Sequence, residues 1–182
     1  MKYFKKLVGE RVYLSPIDPD DAEIYTKWVN DAETTQFLAF HHTLFSLGAE
    51  RAALEQLANS GYNFAIIRAE DDALIGGITL NNIDLVYRKG MLGIYIGEPE
   101  NCSKGYGAEA ISLLLGFGFD TLGLHNIGLQ AHSDNARALR CYEKVGFREF
   151  GRRREAVFKN GRFYDEVNMD ILADEWRAAN GR

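Results

Sequence analysis

Three short apolar runs, Phe64-Ala65-Ile66-Ile67-Arg68, Leu74-Ile75-Gly76-Gly77-Ile78-Thr79-Leu80 and Met91-Leu92-Gly93-Ile94-Tyr95-Ile96, leave too little chain between them for a helix. Glu70-Asp71-Asp72 and Tyr87-Arg88-Lys89-Gly90 mark the breaks. A parallel connection needs a crossover of about a dozen residues or more, so these runs are predicted to be an antiparallel meander. After Ile96 the pattern changes. A glycine-containing loop leads into a long apolar helix from Tyr106 to about Leu122, followed by the strand-like run Asn126-Ile127-Gly128-Leu129-Gln130-Ala131. That run is predicted to pair in parallel with the strand before the helix, as one right-handed βαβ unit.

The flanking segments carry clear start and stop signals. Arg11 to Pro16 alternates like a strand. Asp18-Pro19-Asp20-Asp21 then supplies a cap, a proline for the first turn and acids at the positive end of a helix that runs to about Asn30. Ser46 caps a helix through Ala58, ending at Asn59-Ser60-Gly61. A helix from Asn135 to Val145 is closed by Gly146. Phe147 to Phe158 and Arg162 to Leu172 form a hairpin around Asn160-Gly161, and Asp174 to Ala179 a short final helix. The sum is an α+β fold with a mixed, mainly antiparallel sheet of about seven strands and about four main helices. No repeat, low-complexity tract or linker marks a boundary, so residues 1–182 are expected to be one domain.

Composition narrows the function. No run approaches the roughly 20 apolar residues of a membrane-spanning helix, and the N-terminus lacks a secretory signal, so a soluble, cytoplasmic protein without a membrane partner is expected. The two cysteines, Cys102 and Cys141, are too few for a disulfide framework. A net charge of -5 argues against a nucleic-acid surface and favours a cationic substrate; Arg152-Arg153-Arg154 reads as a solvated strand. His41-His42 lacks companion ligands, so no metal is expected.

The loop Cys102-Ser103-Lys104-Gly105-Tyr106-Gly107-Ala108 is the first candidate site. A helix N-terminus presents unpaired N–H groups and the positive end of the helix dipole, which suits a phosphate. Gly105 and Gly107 permit close approach, and Lys104 adds a cation. The same stretch also fits a dinucleotide fingerprint, with Asp134 as a ribose acid, but that reading needs a doubly wound parallel sheet.

Lys104-Gly105-Tyr106-Gly107-Ala108-Glu109-Ala110, taken with Asn135 and Tyr142-Glu143-Lys144-Val145-Gly146-Phe147, resembles the GNAT acetyltransferases. The likeness extends over nearly the whole chain and is greatest to members that acetylate ribosomal-protein N-termini or polyamines. It implies a central parallel pair of strands that splays apart. It also implies acetyl-CoA as co-substrate, its pyrophosphate held by the amides from Cys102 to Ala108 and its pantetheine arm paired with Ile94, Tyr95 and Ile96. Asn135 would hydrogen-bond that arm, and Tyr142 would place its hydroxyl near the thioester sulfur. Cys102 stands where the family's loop often begins with Arg, Gln or an aromatic residue; main-chain binding tolerates the change.

Acetyl transfer to an amine requires a base or water path, an oxyanion donor and an acid. Tyr142, a phenol of ordinary pKa near ~10, is the expected acid, and the Tyr95 amide the oxyanion donor. Glu98, just past the splayed strand, is the expected base, with Asp165, Glu166 and His132 as alternatives. Asp165 and Glu166 with Glu33 and Glu50 would form an acidic funnel for an amine. The acceptor is left open among a protein N-terminus, a polyamine and other small amines, Phe37 to Phe40 with His41 would shape its pocket or a dimer contact, and a homodimer is the expected assembly. A non-catalytic acyl-CoA-binding module is the alternative from another class.

Overall fold

The computed structural model describes residues 2–181. Its first half contains β1 (Leu7–Val8), β2 (Val12–Pro16), α1 (Ala22–Val29), α2 (Ala32–Thr35), α3 (Leu47–Ala58), β3 (Tyr62–Arg68), β4 (Ala73–Asp84) and β5 (Lys89–Ile96). There follow α4 (Tyr106–Gly116), β6 (Asn126–His132), α5 (Ala136–Val145), β7 (Arg148–Lys159), β8 (Arg162–Leu172) and α6 (Ala173–Ala179). The strands form a sheet in the order β1-β2-β3-β4-β5-β6-β8-β7. It has eight strands rather than about seven, because β1, two residues paired antiparallel with β2, is too short to leave a periodic signal. The four-residue α2 was also missed, although Asp31 caps it by accepting from the Thr34 amide.

β5 and β6 pair in parallel through Lys89↔Asn126, Gly90↔Ile127 and Met91↔Gly128, and the register stops there although both strands continue. Pairing confined to three residues of each strand is what a splayed pair requires. β2–β3, β6–β8 and β7–β8 are antiparallel.

The chain forms two compact units: residues up to Thr79 together with Ile94–Leu113, and Leu80–Gly93 together with the chain from Leu114. In the first, Ala22, Tyr25 and Trp28 repeat at helical spacing and pack with Leu54 of α3; Ile17, Leu74 and Tyr95 cover the cluster. Burial of a large apolar side chain such as Leu54 stabilises by roughly 1.5–3 kcal/mol. Ser46 caps α3 through the Ala49 amide at 3.2 Å, as its sequence predicts.

In the second unit the cross-strand pairs Ala131↔Val167, Leu129↔Met169 and Ile127↔Ile171 are buried on both strands, the period-two signature of a covered sheet face. Phe119 packs against Trp176 with ring centroids 5.7 Å apart. β7 carries two register shifts, and its Arg152, Arg153 and Arg154 lie exposed, with Arg152 paired to Glu149 at 2.7 Å.

Candidate active site

β5 ends at Ile96, and a short turn at Pro99–Asn101 carries the chain into the glycine loop. The Cys102 amide donates to the Pro99 carbonyl at 3.0 Å, so of the expected cradle this N–H is already used. Among the described residues, the N–H groups of Ser103 through Ala108 donate to no protein acceptor; the first bond of α4 is made by Glu109, to the Gly105 carbonyl at 3.1 Å. Gly105 has no side chain with which to cap the helix. It lies at φ +86, and a Cβ there would stand 2.8 Å from the Arg11 guanidinium. These amides lie at the positive end of α4, where an anion is favoured.

The cradle is braced from β2. Glu109 accepts from the Arg11 amide (2.8 Å), the Val12 amide (3.3 Å) and Arg11 Nε (3.0 Å), while Arg11 Nη1 donates to the Lys104 carbonyl at 2.9 Å. Burial by itself raises the Glu109 carboxyl, yet the two amides and the guanidinium together hold it below its ordinary value. The carboxylate therefore stays charged and fixes the start of α4. Arg11 and Glu109 were not singled out from the sequence, because nothing local connects residues 98 positions apart.

Glu98 is not free to act as the sequence led us to expect. Its Oε1 accepts from Lys27 Nζ at 2.8 Å and from Trp28 Nε1 at 3.0 Å. Those two bonds lower its pKa, which weakens it as a proton acceptor and argues against Glu98 as the base. It instead moors the end of β5 to α1. Thr34 adds a second mooring by donating to the Gly97 carbonyl at 2.9 Å.

Ile94, Tyr95 and Ile96 lie at the same end of β5, in the same unit as the loop. The Tyr95 ring stands edge-on to Trp28, centroids 6.2 Å apart, and Trp28 edge-on to Tyr25 at 5.4 Å. Near them is Glu50, only 7% exposed. Burial raises its carboxyl. The Tyr25 hydroxyl is buried without a partner. Glu33 is exposed, Glu50 is buried in this unit, and Asp165 and Glu166 belong to the other unit.

Asn135 and Tyr142 lie in the second unit. Asn135 Oδ1 accepts from the Ala138 amide at 3.2 Å and so caps α5. Tyr142 packs edge-on against Phe147 at 6.1 Å. Its phenol is pushed up to about 12, by burial and then by neighbouring Cys141, so it keeps its proton at neutral pH. α5 is amphipathic, yet none of its residues is fully buried. Two of the alternative bases in this unit are engaged: Asp165 Oδ1 accepts from the Glu155 amide (3.0 Å) and Glu166 Oε1 from Gln130 Nε2 (3.1 Å).

Asp134 is paired to Lys159 at 2.6 Å, and the sheet's parallel pairing is the single β5–β6 step, so the dinucleotide reading lacks both its ribose acid and its doubly wound sheet. Comparison with known proteins decides the family. The model of the acetyltransferase (GNAT) domain matches residues 11–148. The chain belongs to the GNAT acetyltransferase family. Its relatives include the uncharacterized N-acetyltransferase YoaA of Bacillus subtilis, 30% identical over 174 residues that cover 93% of this chain and 97% of YoaA. The spermidine N(1)-acetyltransferase of Vibrio cholerae is 34% identical over 118 residues, covering 65% of this chain and 67% of that enzyme. The crystal structure of the Vibrio cholerae spermidine N-acetyltransferase with CoA and spermine superposes with a TM-score of 0.83 at 26% identity, over 92% of this chain and 99% of that one. This GNAT enzyme is thus an N-acetyltransferase by family. Among its described residues no helix is long and apolar enough to cross a membrane.

Proposed function

We propose that this GNAT enzyme transfers the acetyl group of acetyl-CoA directly to a primary amine. The observation that carries the reading is the run of unpartnered amides from Ser103 to Ala108, held open by the Arg11–Glu109 brace at the start of α4. It has the donors, the dipole and the close backbone approach that a pyrophosphate needs. The CoA and spermine in the Vibrio cholerae relative support both halves of the reaction.

In this reading Ser103 to Ala108 bind the pyrophosphate through their amides, with Lys104 as an added cation, and Ile94, Tyr95 and Ile96 offer their main chain to the pantetheine arm. The Tyr95 amide stabilises the oxyanion that forms as the thioester carbonyl is attacked. Asn135, whose Oδ1 is committed to the α5 cap, contributes its NH2 to the arm. Tyr142 gives its proton to the departing thiolate. The enzyme acts in the cytoplasm, where both of its cysteines, which are free, stay reduced.

Calorimetric titration with acetyl-CoA, with NAD as the control, tests the donor half. Saturable binding of acetyl-CoA alone is expected; absence of binding refutes the reading.

A further inference from the structure

Two buried carboxylates in the first unit have opposite fates. Asp21, 1% exposed, is satisfied by Lys2 and by the Tyr3 hydroxyl. Glu50, 7% exposed, has no cation and no hydrogen-bond donor for its carboxylate among the described residues. The Glu50 side chain is otherwise covered, but unlike the Tyr25 hydroxyl its carboxylate oxygens keep contact with solvent, so the charge is partly desolvated without a protein partner, and folding alone would be served as well here by an apolar residue. Glu50 lies one helical turn before Leu54 on α3, and so on the face that packs against Tyr25 and Trp28 of α1.

The second observation is independent. Tyr25, 2% exposed, has its hydroxyl buried with no partner, in the same cluster. Tyr95 completes the group. Its ring meets Trp28, the charge of Glu50 bears on both phenols, and the Tyr95 main chain belongs to the strand proposed to carry the acetyl group. Gly77 of β4 makes room for that ring, since a Cβ there would lie 3.0 Å from Tyr95 Cε1. An unsatisfied carboxylate and two phenol oxygens thus gather in an apolar pack beside the end of β5. A primary ammonium has three N–H donors and one charge, which matches three acceptor groups, two phenol hydroxyls and one carboxylate.

We infer that Glu50, with the hydroxyls of Tyr25 and Tyr95, receives the ammonium group of the acceptor amine and takes its proton. The inference rests on the acetyltransferase reading above and names the acceptor end of that reaction. The carboxylate takes one proton from the ammonium, leaving a neutral amine. The amine lone pair forms the C–N bond to the acetyl carbon, the C–S bond breaks with its electron pair going to sulfur, and the thiolate is protonated. The second proton of the former amine leaves from the product nitrogen to water. The groups that face Glu50 are Tyr25 of α1 and Tyr95 of β5, with Asp21 and Tyr3 beyond Tyr25; none of these supplies a competing positive charge.

The test compares wild type with Glu50→Gln, Glu50→Asp and Tyr25→Phe. Three readouts are taken: acetyl-CoA affinity by calorimetry, kcat and KM with spermine, butylamine and an alanine-initiated peptide as acceptors, and direct calorimetric binding of the same amines. Glu50→Gln is expected to lower kcat/KM for the best acceptor by about a hundredfold, within the usual range for a lost general base, and to abolish amine binding. Its acetyl-CoA affinity should stay within about twofold and its melting temperature should not fall, because an uncompensated buried charge has been removed. Glu50→Asp should recover part of the rate, and Tyr25→Phe should raise KM more than it lowers kcat. A Glu50→Gln enzyme with kcat/KM within about threefold of wild type overturns the inference, as does wild-type protein that binds acetyl-CoA but neither binds nor acetylates any of the three amines. Wild type that binds amines but not acetyl-CoA refutes the donor reading instead. Should Glu50→Gln fail to fold, direct amine binding by Tyr25→Phe decides: unchanged affinity overturns the inference.

Discussion

The helices α4 and α5 begin in opposite ways. α5 starts with Asn135, whose side chain closes the helix by accepting from the Ala138 amide, and it ends at Gly146 in the left-handed conformation. α4 starts after Gly105, which has nothing to offer its amides, and the six N–H groups from Ser103 to Ala108 are left without protein acceptors. The start of α5 is determined by a side chain close in sequence, whereas that of α4 is held by a pair 98 positions apart. A capped N-terminus is a solved folding problem. An uncapped one, braced by Arg11 and Glu109, is where the proposed pyrophosphate site lies.

The largest effect should come from the helix whose start is complete. Tyr142→Phe on α5 is expected to lower turnover by about a hundredfold with acetyl-CoA affinity unchanged, as for a lost general acid. Full activity in that variant would remove Tyr142 from the chemistry and leave α5 a purely structural helix. At α4, Gly105→Ala places a Cβ at φ +86 and 2.8 Å from the Arg11 guanidinium, and should weaken acetyl-CoA binding about tenfold or more. Unchanged binding would make this loop an ordinary turn.

Removal of the α5 cap by Asn135→Ala should cost about 1 kcal/mol, a fall of roughly 2–4 °C in melting temperature. Ser46→Ala on α3 provides the control, because its stability loss should come with no change in acetyl-CoA affinity. A parallel loss of affinity in Asn135→Ala alone would show that the cap residue also contacts the ligand.

The smallest effect is on acid stability. The Glu109 pKa is depressed below its ordinary 4.5 in the folded protein, so its stabilisation is present above that value and is lost as pH falls through the folded one. Glu50 has the opposite sign: its raised pKa gives a contribution present below 4.5 and lost as pH rises through the folded value. Melting temperature against pH should therefore lose part of its acid-side fall in Glu109→Gln, and rise toward neutral pH relative to wild type in Glu50→Gln. A Glu109→Gln curve parallel to wild type would remove the brace from the account of α4.

Much of the fold was legible because its signals are local. The Ser46 cap, the loop before Tyr106, the Asn135 to Gly146 helix and the Asn160-Gly161 turn each lie within a few residues of the element they define, and each stands where the sequence puts it. The single parallel step followed from connection length alone. What failed locally was short: β1 and α2 have too few residues for periodicity to register.

The sequence by itself therefore determined the order of elements, the open cradle at α4 and the family to which that order belongs. Tertiary structure decided the fate of the carboxylates. Glu98, Glu109 and Glu50 look alike in sequence, each an acid near a plausible site. One is drawn to Lys27 across 71 positions, one to Arg11 across 98, and one is buried with no counter-charge. The reason is physical: a carboxylate's pKa and role depend on burial and on charges within a few ångströms, and folding brings those groups from far along the chain.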